Sequence, residues 1–329
     1  MCVIPWTKNE TTTIMKKLLT IALLVSAVLT ASANGRSSEN CETGLDGQVV
    51  NDKSVTNDDE MFVLHNGNAT MTIAPAKGGK ILSLKYQDHE MLSQSRWPES
   101  FGSTFWTSPQ KEWNWPPVPE FDKMPYQVES RDDARLVIRS QVSERLGFSI
   151  GKDFSFDAAD GAFVVTYSIK NEGSEARSVA PWEITRVPNG DGIIFFEAVG
   201  DSVWPAGLMT FHNTSGVMWY LTDEAMQNRK VNADGRGWLG YFADNMVLVK
   251  KFQDLKNGEA APGEAEVQVY VNHGKTYIEL ESQGAYTLLQ PGEQLTWAVR
   301  WYVLPVEGGY QLQENLGQAV GPIVFGKDW

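Results

Sequence analysis

Along most of the chain, apolar and polar residues alternate with a period of two. Phe163, Val165, Tyr167 and Ile169 fall on one side of an extended segment, Val267, Val269 and Val271 on one side of another, and Trp297, Val299, Trp301 and Val303 on one side of a third. Successive side chains of a β-strand point to opposite faces, so each stretch predicts a strand with one face in a core. Turn-forming residues punctuate these segments at short intervals: Lys77-Gly78-Gly79, Asp160-Gly161, Asn171-Glu172-Gly173, Asn189-Gly190-Asp191-Gly192 and Pro291-Gly292. Frequent turns between short strands favour a sandwich or barrel over alternating strand and helix units. Helices are expected only near Asp223–Lys230 and Tyr310–Gly317. The expected class is all-β and mostly antiparallel. No fixed-period repeat is visible, and Trp115-Pro116-Pro117-Val118-Pro119 is too short to link domains, so residues 60–329 read as one domain.

The start of the chain breaks this pattern. Met15-Lys16-Lys17 precedes an apolar run from Leu18 to Leu29 that ends in Ala31-Ser32-Ala33, the layout of a secretory signal peptide. The run falls short of the roughly 20 residues a bilayer span needs. Residues 1–33 are therefore expected to be a start extension plus signal peptide, with the true start at Met15. Residues 34–59, rich in Ser, Asn, Asp, Glu and Gly, read as a flexible lead-in. A periplasmic or extracellular location, without membrane insertion, is the expectation.

Composition narrows the partners. The chain has 329 residues, 42% of them hydrophobic, and a net charge of −13, enough apolar content for a large core. Removing Lys8, Lys16 and Lys17 along with Glu10 would leave the remainder more acidic still. Such a surface disfavours nucleic acid and anionic membranes. Of the two cysteines, Cys2 precedes the signal, so Cys41 would be left without an intramolecular partner. The residues before it, Ser38-Glu39-Asn40, are not the small apolar set expected ahead of a lipid-modified cysteine. His65, His89, His212 and His273 show no metal-ligand spacing, and there is no phosphate loop, dinucleotide fingerprint, nucleophile elbow or calcium loop.

Three stretches could carry chemistry. Trp97 to Trp115 holds Phe101, Phe105, Trp106, Gln110, Trp113 and Asn114 among Gly, Pro, Ser and Thr, a composition suited to a long ordered loop. Its indoles either offer stacking faces to sugar rings, with amides for hydroxyls, or plug one end of the core. In Tyr277–Gln283, strand alternation puts Tyr277, Glu279, Glu281 and Gln283 on one face and Ile278 and Leu280 on the other, with the two carboxylates roughly 7 Å apart. In a closed cleft, desolvation and repulsion would raise one pKa towards neutrality; facing water they would be ordinary surface glutamates. Finally, Glu183 and Arg186 in Pro181-Trp182-Glu183-Ile184-Thr185-Arg186 are either an exposed ion pair or substrate contacts.

These segments resemble the galactose mutarotase-like superfamily. Gly78–Leu84 followed by Glu90-Met91-Leu92 is similar to its glycine-containing opening hairpin. Leu280–Gln283, Leu289–Glu293 and Trp297–Tyr302 are similar to its closing segment. The resemblance implies a β-supersandwich that binds sugars in a cleft on one sheet. It makes Glu281 the counterpart of the general base in aldose epimerases. The acid in those enzymes is a histidine, whereas the matching neighbourhood here reads Ala180-Pro181-Trp182-Glu183, so Glu183 becomes the candidate acid. Trp106, Gln110, Trp113, Trp115, Trp182, Arg186 and Glu279 are the expected substrate contacts. Phe105–Gln110 with Trp113–Pro117 also resembles the domain of unknown function 4380 group of bacterial proteins. The implied activity is mutarotase-like or epimerase-like acid–base chemistry at the anomeric centre of a mono- or oligosaccharide, with no cofactor and no metal. The alternatives are a non-catalytic carbohydrate-binding protein of a glycan-utilisation system, or a polysaccharide lyase or glycoside hydrolase.

Overall fold

The period-two segments form strands. The computed structural model describes residues 61–96 and 100–325, which lie within one unit, Ser54–Trp329. The signal-peptide, lead-in and Cys41 expectations, and Trp97, lie outside the described residues. In chain order the strands begin with β1 Phe62–Asn66, β2 Ala69–Ala74, β3 Lys80–Tyr86, β4 His89–Glu90 and β5 Ser103–Ser108. Next come β6 Gln127–Arg131, β7 Leu136–Arg139, β8 Phe148–Asp157, β9 Ala162–Asn171 and β10 Arg177–Val187. β11 Ile193–Glu197, β12 His212–Thr214, β13 Val217–Leu221, β14 Arg229–Ala233 and β15 Trp238–Ala243 follow. The last are β16 Met246–Lys251, β17 Val267–Val271, β18 Ile278–Gln283, β19 Thr287–Leu289 and β20 Gln294–Pro305. The helices are α1 Pro119–Asp122 and α2 Leu312–Phe325.

Two 10-stranded sheets result. One runs β1-β2-β3-β5-β10-β18-β17-β14, with β4 on β3 and β19 on β10; the other runs β12-β13-β11-β15-β16-β20-β9-β8-β7-β6. Every pairing described is antiparallel. The sheets pack face to face over one apolar layer, where Phe105 of β5 stacks on Tyr167 of β9 at 4.1 Å. All the alternating apolar residues used to predict strands, in β9, β17 and β20, are buried.

Two expectations are corrected. Asp223–Lys230 is not helical: the Asp223 carboxylate accepts the Ala225 N–H at 2.9 Å and grips the Arg229 guanidinium at 2.7 and 2.8 Å, which folds the segment into a loop leading to β14. Nor is Trp97–Trp115 one long loop, since Ser103–Ser108 is an interior strand, between β3 and β10. Both faces of β5 are covered, so it lacks the half-polar alternation that marks a strand in sequence. The helix expected near Tyr310 does form. As α2 it lays Leu316 and Val320 on a second apolar layer, with Phe195, Trp219, Trp238 and Val249.

β10 sits between β5 and β18, so the direction of its side chains matters most. Alternation sends Trp182, Ile184 and Arg186 to the outer face and Glu183, Thr185 and Val187 between the sheets. There the Glu183 carboxylate accepts Tyr167 Oη–H at 2.6 Å and Trp301 Nε1–H at 3.2 Å, and pairs with Lys250 Nζ at 2.6 Å. Lys250 also donates to Thr185 Oγ1 at 2.9 Å. Burial pulls the Lys250 pKa down, against the nearby Glu183 charge. Removing one member of such a pair strands the other charge, at a cost of about 3–5 kcal/mol. Urea unfolding should therefore show Lys250→Met destabilised by about that amount, and Glu183→Gln/Lys250→Met less so. The opposite ranking would contradict a buried pair.

Candidate functional site

The outer face of the first sheet is organised in rows of laterally paired residues. One row is Trp106, Trp182 and Gln283; the next is Thr104, Ile184, Glu281, Gln268 and Asn232; the third is Arg186, Glu279, Tyr270 and Lys230. Lateral neighbours share a face, so the pleat alone brings Glu279, Glu281, Arg186 and Trp182 together.

Ion pairs tie the rows to one another. Glu281 Oε2 accepts Trp182 Nε1–H at 2.9 Å and Lys230 Nζ at 2.8 Å. Arg186 pairs with Glu279 at 2.8 Å, donates to the Phe101 carbonyl at 3.3 Å, and lies 5.9 Å from the Trp106 ring and 5.4 Å from that of Tyr277. Burial raises the Glu279 pKa to about 7; Glu281 adds to the effect, and Arg186 and Lys230 oppose it. At the β5 end, Asp122 accepts from Thr104 Oγ1 at 2.8 Å and Trp106 Nε1 at 2.9 Å and pairs with Lys80 at 3.1 Å. Burial pushes its pKa up, but the Lys80 and Arg186 charges and the two hydrogen bonds bring it below the usual carboxylate value. The close approach of α1 depends on Gly78, whose φ is +68° and where a Cβ would stand 2.1 Å from the Asp122 carbonyl oxygen.

An amide chain closes the opposite end. Gln283 accepts from Ser108 Oγ at 2.6 Å and donates to Gln268 Oε1 at 3.1 Å. Gln268 donates to Asn232 Oδ1 at 2.9 Å and to Glu264 Oε2 at 3.1 Å. Glu264 also accepts the Gln110 backbone N–H at 3.0 Å, tying in the tryptophan segment.

The indoles form one array. Trp106 meets Trp182 edge-on at 5.5 Å, Trp113 at 5.6 Å and Trp115 at 6.2 Å. Trp113 is buried, with its N–H on the Thr107 carbonyl, whereas Trp115 is 63% exposed. Trp106, Trp113 and Trp182, all buried, therefore support the array rather than offering stacking faces, a change from their expected role as substrate contacts. Trp106, Trp182, Arg186, Glu279 and Glu281 share the face, Trp115 borders it, and Gln110 reaches it through its backbone N–H.

Glu183 requires the larger correction. It was the candidate acid, but it points between the sheets while Glu281 points outward, so no substrate on the outer face can reach it. The residue was nonetheless separable by counting: three positions along a strand put Glu183 and Arg186 on opposite faces. None of the four histidines lies on β5, β10, β14, β17 or β18. Sequence reasoning missed Asp122, Lys230, Gln268 and Glu264. Gln268 was legible as the polar partner of Val267 and Val269, in a strand read only for its apolar side. Among the described residues, no group of three or more His, Cys, Asp or Glu is arranged to hold a metal ion, and no helix is long and apolar enough to cross a membrane.

Solved structures share this architecture. A candidate aldose 1-epimerase of Escherichia coli K12 aligns over 75% of this chain and 99% of its own with a TM-score of 0.53 and 12% identity. The Slr1438 protein of Synechocystis sp. PCC 6803 aligns over 78% and 100%, with a TM-score of 0.55 and 14% identity. A candidate aldose 1-epimerase of Klebsiella pneumoniae covers 80% and 86%, with a TM-score of 0.51 and 12% identity. The fold is the galactose mutarotase-like sandwich. At these identities the likeness is one of mutarotase-like fold. No family model matches the chain, and no curated protein does.

The electrostatics of this face predict a pH signature. Glu279 holds its proton up to about pH 7 when folded, against a reference value of 4.5. Over that window the folded state binds more protons than the unfolded state, so this group's contribution to stability is lost as pH rises from 4.5 to about 7. Urea titrations at pH 5 and 7 should show a smaller decline for Glu279→Gln than for the parent protein. Equal declines would remove Glu279 as the source.

Proposed function

We propose that the protein binds a carbohydrate on the outer face of the first sheet and transfers protons at its anomeric centre, outside the cytoplasm. The observation that carries this reading is the Trp182 Nε1–H bond to Glu281, which joins a carboxylate to the indole array. Indole faces suit the axial C–H groups of sugar rings, and convergent carboxylates and amides suit their hydroxyls. The mutarotase-like fold and the candidate epimerases that share it support the same substrate class. Placement in the domain of unknown function 4380 group belongs to this proposal and adds no reaction of its own.

In this reading Glu281 is the base. Both hydrogen bonds described for it fall on Oε2, which leaves Oε1 to take the proton from the anomeric hydroxyl. The C1–O5 bond then breaks as the ring oxygen is protonated, giving the open-chain aldehyde, and closure on the other face of the carbonyl gives the other anomer. Glu279 replaces Glu183 as acid, because it lies on the outer face beside Glu281 and, with a pKa of about 7, is protonated in a large share of molecules at neutral pH. Trp115 contacts the ring, Trp182 positions Glu281 through its N–H, and Arg186 orients Glu279.

A second reading, a non-catalytic sugar-binding protein, draws support from the Arg186–Glu279 and Lys230–Glu281 pairs, which hold both carboxylates in charged partnerships. NMR exchange measurements of D-glucose and D-galactose anomerisation separate the two. Glu281→Gln should lower the catalysed rate by about 100-fold or more without unfolding the protein. Full turnover by Glu281→Gln would rule it out as the base. Sugar binding with no acceleration would establish the second reading. Trp115→Ala should weaken binding by about 2- to 10-fold with little change in stability.

A further inference from the structure

Beside the sugar face lies a cavity of about 190 Å³ lined by Trp204, Asp234, Leu255, Ala260, Glu264 and Glu266. A cavity of about 150 Å³ already admits a six-membered benzene ring. The two sites share a wall, because Glu264 lines the cavity and also holds the Gln268 and Gln283 amides of the face at 3.1 and 3.3 Å. They also share a row. Trp204 exchanges backbone hydrogen bonds with Asn232 at 2.9 and 2.7 Å, which extends the Thr104-Ile184-Glu281-Gln268-Asn232 row by one more position. Trp204 therefore stands three strand spacings, about 14 Å, from Glu281.

The lining has the character of a ligand site. Trp204 is 45% exposed and supplies an open indole face. Glu266 is 2% exposed; its Oε1 accepts the Gly237 N–H at 2.8 Å, but its Oε2 is buried without a hydrogen-bond partner. Burial, with additions from Asp254 and Asp234, raises the Glu266 pKa to about 8 against backbone hydrogen bonds from Gly237 and Leu255, so the carboxyl is mostly protonated at neutral pH. A neutral carboxyl at the cavity wall can donate as well as accept, which a sugar hydroxyl matches.

We infer that the cavity is a second sugar subsite, and that the ligand is the reducing end of an oligosaccharide of two or three rings rather than a free monosaccharide. The inference rests on the outer face being the sugar site. One pyranose cannot touch both Glu281 and Trp204, and anomeric chemistry at Glu281 requires the free anomeric carbon there. The remaining rings must then run along the Gln268–Asn232 side towards Trp204.

Calorimetric titration tests this with glucose, galactose, mannose and N-acetylglucosamine and their α- and β-1,4-linked dimers and trimers. Any sugar that binds as a monomer should bind at least 10-fold more tightly as its dimer or trimer. Trp204→Ala and Ala260→Phe should each abolish that gain while leaving the monosaccharide Kd and the melting temperature unchanged. No gain with length in the parent protein, or a gain that survives both substitutions, overturns the subsite but leaves the sugar face standing. Failure of the whole panel to bind overturns both.

Discussion

The Glu183 carboxylate, held between the sheets by Tyr167, Trp301 and Lys250, fixes which way β10 faces. A slip of one residue in β10 would turn Glu183 outward and drive Trp182 and Arg186 into the apolar layer. A buried ionised group is tolerated only where its partners are complete, so the register in which they are complete is strongly favoured over its neighbours. The identity of the outer face follows from that register, because every residue on it is placed by alternation from β10 through β5, β18, β17 and β14.

The outer face is then held by charges that balance locally. Lys80 with Asp122, Arg186 with Glu279 and Lys230 with Glu281 set three basic side chains against three acidic ones on a chain whose overall charge is −13. Pairing of this kind fixes the carboxylate geometry, and burial opposed by unequal sets of partners separates the proton affinities of Glu279 and Asp122. Glu279 is pushed towards neutrality, whereas Asp122, with two hydrogen-bond donors and a lysine, is pulled the other way. Carboxyls in one site whose proton affinities diverge are what acid–base chemistry at neutral pH needs.

Aromatic residues divide between support and display. Trp106, Trp113 and Trp182 are buried, with Trp106 braced edge-on against the other two, whereas Trp115 and Trp204 present open indole faces at the two ends of the polar rows. A rigid buried layer beneath exposed indoles limits the conformational entropy lost when a ring stacks on them. Glu264 links the two ends, through Gln110 on one side and the Gln268–Gln283 amides on the other.

The sequence by itself determined the fold class, because half-buried antiparallel strands leave a period-two trace that glycine and asparagine turns interrupt. It also determined that Glu279 and Glu281 share a face with Gln283, since that follows from counting along one strand. Three things were decided only by the tertiary structure. β5 is covered on both sides and carries no alternation to read. The direction of Glu183 depends on partners 16, 67 and 118 residues away in the chain. The pairing of Lys230 with Glu281, and the placing of Trp204 at the end of the Glu281 row, depend on strand order, which local pattern does not encode. Alternation is a property of neighbouring residues and is written locally; which strands lie side by side is settled by which arrangement buries the apolar faces and completes the buried polar pairs.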